Sequence, residues 1–228
     1  MLARFGYRLA PMPGPLYDLY HGDKLIQSEV REIGWVMVNT RGDDFALWLA
    51  DRKGREFVLR PAGLEPWSQY AYIRPVLVGG DLVAVEKPAD TAPETVTVRR
   101  ANKAIYTALV SERRTDYPVK GLWAWNEHWV LEVRGQVVID GKSLNQQRGY
   151  DEIFHWQLVK GQPFYLFKKS NRIGVSYAGQ VLPYQYDEVI HYRCCEPAMF
   201  NVGGNETMVW FHARKGGMWY YVEMGVYR

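Results

Sequence analysis

Two seven-residue stretches, YDEIFHW at 150–156 and YDEVIHY at 186–192, carry the same Tyr, Asp, Glu and His in the same order, 36 residues apart. A period between roughly 20 and 50 residues marks a chain assembled from repeated supersecondary units. The likeness continues downstream, where FYLFKKSNRIGVSYAG (164–179) and VWFHARKGGMWYYVEMG (209–225) each run aromatic-rich, then basic or glycine-containing, then aromatic-rich again. That pattern predicts one hairpin per copy. The second copy has RCCEPAMFNVGGNET where the first has only QLVKGQP, an insertion expected to lie in a loop.

The likeness also runs upstream, since GQVVIDGKSLNQQRGYDEI (135–153) and GQVLPYQYDEV (179–189) both pass from Gly-Gln-Val through a spacer to Tyr-Asp-Glu. The second resembles the WG repeat of many bacterial proteins: Gly174, Gly179, Val181, Leu182, Pro183, Tyr186, Asp187 and Val189 fall on its pattern, with Ile173 where that family has tryptophan. The resemblance covers one good copy and one degenerate copy. It implies a β-rich repeat architecture before any activity.

A shorter echo, PGPLYDLYHG, occupies 13–22, and approximate repeat starts fall at Tyr17, Tyr70, Tyr117, Tyr150 and Tyr186. Short runs rich in Val, Tyr, Trp and Phe, bounded by Gly, Asp or Asn, fill the intervals. The expectation is a single all-β domain over residues 1–228, a β-propeller of about five blades. Its N- and C-terminal segments would share one blade, because ring closure hides the terminal edges. ANKAIYTALVSERR fits a helix near 101–113 or a strand over 104–110; the strand is preferred in this setting.

Successive side chains of a strand point to opposite faces, so Asp187 and Glu188 do not form a catalytic carboxylate pair. Asp151 and Asp187 are expected to bond backbone N–H groups of the entering turn. His155 and His191 would share a face with Ile153 and Val189, each bonded to a neighbouring blade's backbone or acid. Recurrence argues for framework, since a reaction centre needs one copy only. The competing functional reading sets Asp18, Asp151 and Asp187 around one funnel as a glycosidase-type site.

GLWAWNEHWVLEV brings Trp123, Trp125 and Trp129 around an Asn126–His128 turn. Trp123 and Trp125 would share a face, either as a platform for a sugar or peptide or as filling between blades. Cys194 and Cys195 are adjacent, too close for an unstrained disulfide, and are expected to be reduced thiols. With His191 they fall short of a zinc site, so no metal and no cofactor are expected. Net charge is +3 and the basic pairs are flanked by acids, which argues against nucleic acid. The chain shows neither a secretion signal nor a membrane span, from which a cytoplasmic location is expected. No phosphate loop, dinucleotide fingerprint, nucleophile elbow or zincin motif occurs.

The leading functional reading is a non-enzymatic module that grips a protein or peptide with its loops, the insertion at 194–207 foremost. A lectin-like carbohydrate or small-molecule binder comes second and a glycosidase third. The candidate binding residues are Trp123, Trp125, Trp129, Asp151, His155, Asp187, His191, Cys194 and Cys195.

Overall fold

The computed structural model describes residues 1–39, 42–67, 73–86, 95–101, 103–109, 118–194 and 196–226. The expected repeat starts Tyr70 and Tyr117 lie outside them, as does Cys195. The described chain is all-β, with antiparallel sheets and one five-residue α-helix, Leu144–Arg148 (α1), capped by the Ser143 hydroxyl at its start and by left-handed Gly149 at its end.

It divides into two compact units: Met1–Pro88 with Thr97–Ala104, and Ala89–Val96 with Ile105–Arg228. The first sheet runs in sequence order through Tyr7–Pro11, Tyr17–His21, Lys24–Val38, Phe45–Asp51, Glu56–Arg60 and Gly63–Pro66 (β1–β6). The long strand β3 bends at Glu29, which takes a left-handed φ of 54°. Up to Val30 it pairs with β2; beyond Val30 it pairs with β4. Asp18 fastens the bend by accepting from the Ser28 hydroxyl at 2.6 Å and from the Glu29 amide. Around Leu19, Val30, Phe45, Leu49 and Leu59 this unit has its own core.

Val76–Val78, Asp81–Val85, Thr95–Arg100 and Lys103–Leu109 (β7–β10) form the second sheet, so the ambiguous segment is a strand over its described part, Lys103–Leu109. Val119–Trp125, His128–Val133, Gln136–Ile139 and Lys142–Ser143 (β11–β14) form the third, and Glu152–Val159, Gln162–Lys169, Arg172–Tyr177 and Gln180–Tyr186 (β15–β18) the fourth. In the last, Met208–Lys215 (β21) pairs on one side with the short Glu188–Val189 and Gly203–Gly204 (β19, β20) and on the other with Met218–Gly225 (β22). Five antiparallel sheets thus follow one another along the described chain.

Both predicted hairpins are present, β16–β17 and β21–β22, each closed by a two-residue turn with both residues left-handed: Ser170–Asn171 and Gly216–Gly217. This turn matches the right-handed twist of the strands it joins. Gly174 lies directly opposite Phe167, whose ring covers it so closely that an added Cβ would sit 2.4 Å from the ring. Gly203 and Trp210 repeat the arrangement in the last sheet.

One expectation is corrected. Among the described residues the first and last strands belong to different sheets and not to one shared blade: β1 pairs with β2, and β22 with β21. Short local connections let β1, β2 and the first half of β3 form a meander of their own, which is the common outcome for strands adjacent in sequence.

Candidate functional site

The repeated aspartates come first because they fix the register of the two copies. Asp151 accepts from the Ser170 amide at 3.0 Å, and Asp187 from the Gly216 amide at 2.7 Å, so each caps the hairpin turn of its own sheet. Asp187 also pairs with Arg172. Bonding to backbone is as expected, but the turn served is the hairpin turn across the sheet. Asp18 is likewise spent on its own bend. All three carboxylates are engaged with local backbone, which is a framework role.

The histidines depart from the expected alternation. Strand β15 carries a bulge after Phe154, where His155 takes a φ of 54° and the register with β16 shifts. Ile153, Phe154 and Trp156 are consequently all buried, and His155 does not share a simple face with Ile153. The bulge is held from another sheet. Glu132 of β12, only 1% exposed, accepts from the His155 amide at 3.1 Å and the Trp156 amide at 2.7 Å. It also accepts from the Tyr192 hydroxyl at 2.5 Å. One carboxyl group therefore ties together two sheets and the segment that follows β19. Burial pushes the Glu132 carboxyl up from the ordinary carboxylate range, outweighing the pull of its three donors and of nearby Lys120. Burial, with Glu132 beside it, also pushes the Tyr192 hydroxyl up.

His191 lies beyond β19, stacks on Phe154 with ring centroids 3.8 Å apart, and contacts the Val189 carbonyl at 2.7 Å and Glu152 at 3.2 Å. This is the expected bond to a neighbouring sheet's acid. The His155 ring is different, since its Nε2 is buried with no partner among the described residues. Burial lowers its pKa to about 4, which leaves it neutral near pH 7.

These groups line a concavity of about 350 Å³ that brings Trp123, His155, His191 and Cys194 together with Glu132 and Tyr192. Trp123 turns toward Trp156, ring centroids 5.0 Å apart, and forms a wall of the concavity; Trp125 packs against the same cluster, so the two share a face as expected. Trp125 and Trp129 are absent from the lining; Trp129 is buried and touches Tyr106. Glu132 and Tyr192 had no place among the sequence candidates. The available signal for Glu132 was a lone acid inside the apolar run WVLEV, at a position where an uncompensated charge is costly.

The insertion at 194–207 forms the second feature of this region. Asn201 clasps its base, accepting from the Arg193 amide at 2.9 Å and donating to the Arg193 carbonyl at 2.8 Å. The 3-10 turn Glu196–Phe200 lies between them and presents Met199 and Phe200, 73% and 43% exposed. Phe200 contacts His212 at a centroid distance of 5.3 Å, and His212 contacts Tyr221 at the same distance. Tyr221 and Trp219, on β22, are 57% and 49% exposed. A chain of rings thus runs from the clasped loop onto the last hairpin.

No protein-family model matches the chain, and no curated protein matches it. Among solved structures, BBS1N in complex with ARL6DN shares 12% identity at a TM-score of 0.36, over 93% of this chain and 73% of that one. A second crystal of the same complex gives 11% and 0.36, over 97% and 76%. A prolyl endopeptidase structure gives 12% and 0.35, over 95% of this chain and 48% of that one. At this level the likeness assigns no function. None of the comparisons identifies WG repeats.

Proposed function

We propose that this protein is a non-enzymatic binding module that takes an extended segment of a protein partner along β22 and the clasped loop. The observation that carries the reading is the exposed run Met199, Phe200, Tyr221 and Trp219, held on a hairpin and on a loop closed by Asn201. Large apolar side chains grouped on rigid backbone mark interaction surfaces. Phe200 and Tyr221 already contact His212, which lowers the ordering cost of association.

The internal repeat supports the mode of binding. In the fourth sheet the outer edge of β17 is taken by β18, which pairs with it antiparallel. The corresponding strand β22 pairs with β21 alone among the described residues. Its outer edge therefore offers backbone donors and acceptors to an added strand, with the rings supplying side-chain contacts. In the same reading the successive sheets are blades of a WG-repeat-like propeller forming one domain.

Selection of displayed peptides against the immobilised chain tests the proposal. Extended sequences with aromatic or branched apolar residues should emerge, and the double variant Phe200→Ser, Tyr221→Ser should lose them while keeping its melting temperature. Peptides that bind the double variant unchanged would overturn the reading, as would a face that selects no peptide but retains neutral glycans.

A further inference from the structure

Left-handed backbone, a buried carboxyl and unpartnered ring nitrogens meet at the concavity walled by Trp123, and the proposed docking face uses none of them. Two bulky residues, His155 and Tyr192, hold left-handed backbone, with φ of 54° and 52°. Such strain persists where surrounding structure enforces it, and it concentrates at binding and catalytic sites. A buried carboxyl, Glu132, fixes both of them. Two ring nitrogens of residues in the lining, His155 Nε2 and Trp156 Nε1, are buried without partners among the described residues, and Trp156 itself is only 1% exposed. Buried polar groups are nearly always satisfied, so unsatisfied ones gathered at a concavity point to a missing partner.

The chemistry of the lining narrows that partner. Glu132 already accepts from three internal donors, and Lys120 provides its nearby positive charge. Arg193 in the lining is exposed to solvent, whereas an ion entering beside Glu132 would give up hydration without meeting an uncompensated opposite charge there. An indole N–H can only donate, whereas a neutral imidazole nitrogen can accept. A hydroxyl satisfies either. The face of Trp123 and the His191 ring, itself backed by buried Phe154, offer flat walls to the C–H side of a saturated ring. The volume, about 350 Å³, lies at the small end of the range for ligand sites.

We infer that the concavity walled by Trp123, which borders the clasped loop at Asn201 but uses none of its exposed rings, is a second binding site for an uncharged hydroxyl-bearing ring such as a cyclic polyol or one sugar residue of a glycan.

The test follows the indole N–H resonances of Trp123 and Trp156 while methyl glucoside, methyl mannoside, methyl galactoside and inositol are titrated in turn, with glucuronate and glucosamine as charged controls. At least one neutral probe should shift both resonances saturably, and the charged analogues should bind about tenfold more weakly. Trp123→Leu should weaken the neutral probe by a similar factor. The Phe200→Ser, Tyr221→Ser double variant should leave it unchanged, which separates this site from the peptide face. Saturation transfer from wild-type aromatic protons to the sugar ring protons gives the same readout if Trp123→Leu does not fold. Shifts that fail to saturate, equal binding by the charged controls, unchanged binding to a folded Trp123→Leu, or no transfer to any probe would each overturn the assignment.

Discussion

Hairpins β16–β17 and β21–β22 begin from one design and reach opposite surfaces. Each turn donates a backbone N–H to the aspartate that follows the copy's first tyrosine, at Ser170 in one and Gly216 in the other. Counting from that shared point, Ile173, Gly174 and Val175 correspond to Trp219, Tyr220 and Tyr221. The first three are buried; the second three are 43 to 57% exposed. Ile173 and Val175 pack in a core with Val189 and Phe211 of the last sheet, and β18 covers the adjacent edge. Identical turn chemistry therefore does not decide burial. What lies outside the third strand does, and where no described strand lies there the sequence carries large rings in place of small apolar residues.

The largest expected effect concerns the bulge that sets the first copy apart from the second. His155 is held neutral by burial, its pKa lowered from 6.5 to about 4. The unfolded chain takes up this proton below about pH 6.5, whereas the folded chain resists until about pH 4. Stability from this group is thus complete above pH 6.5 and is lost as pH falls through that window, by up to about 3 kcal/mol. Chemical denaturation of wild type and His155→Asn at several pH values checks this, since asparagine tolerates the left-handed backbone and does not titrate. An equal slope in both proteins would remove His155 from the explanation.

Next in size is the contrast at the matched positions 174 and 220. Gly174→Ala should destabilise by about 1–3 kcal/mol, because its Cβ must displace the Phe167 ring from a packed core. Tyr220→Ala should change stability by only about 0.5 kcal/mol, as befits an exposed side chain. Similar losses at both sites would mean that the two hairpins are equally embedded.

Removing the aspartate caps comes third. Asp187→Ala should cost about 1–2 kcal/mol, since it loses both the Gly216 amide and Arg172, and Asp151→Ala should cost about 1 kcal/mol. Thermal melts read both, and a larger loss at Asp151 would reverse the assigned order. Trp219→Ser is the smallest, within about 0.5 kcal/mol in stability, while it should weaken any peptide selected on this face.

Much of the framework was legible in the sequence because local rules govern it. The repeated Tyr-Asp, the turn residues between aromatic runs and the longer second connection gave the hairpins and placed 194–207 outside regular strands apart from the two-residue β20. The bulge at His155 was not legible: it is imposed by Glu132, 23 residues earlier in the chain, and nothing local in YDEIFHW announces it. The same distance hid the concavity, which assembles from β11, β12, β15 and the segment after β19. Sharing of one blade by the chain ends failed for a related reason, since three strands at the N-terminal end satisfy one another before any distant partner is needed.

The central claim is that the two copies have divided their roles, the first packed as framework and the second turned outward to bind. Amide chemical-shift mapping with a peptide selected on the immobilised chain tests it most directly. Shifts should concentrate at residues 197–201 and 218–224, with 162–177 silent. Shifts centred on 162–177, or spread equally over both hairpins, would contradict it.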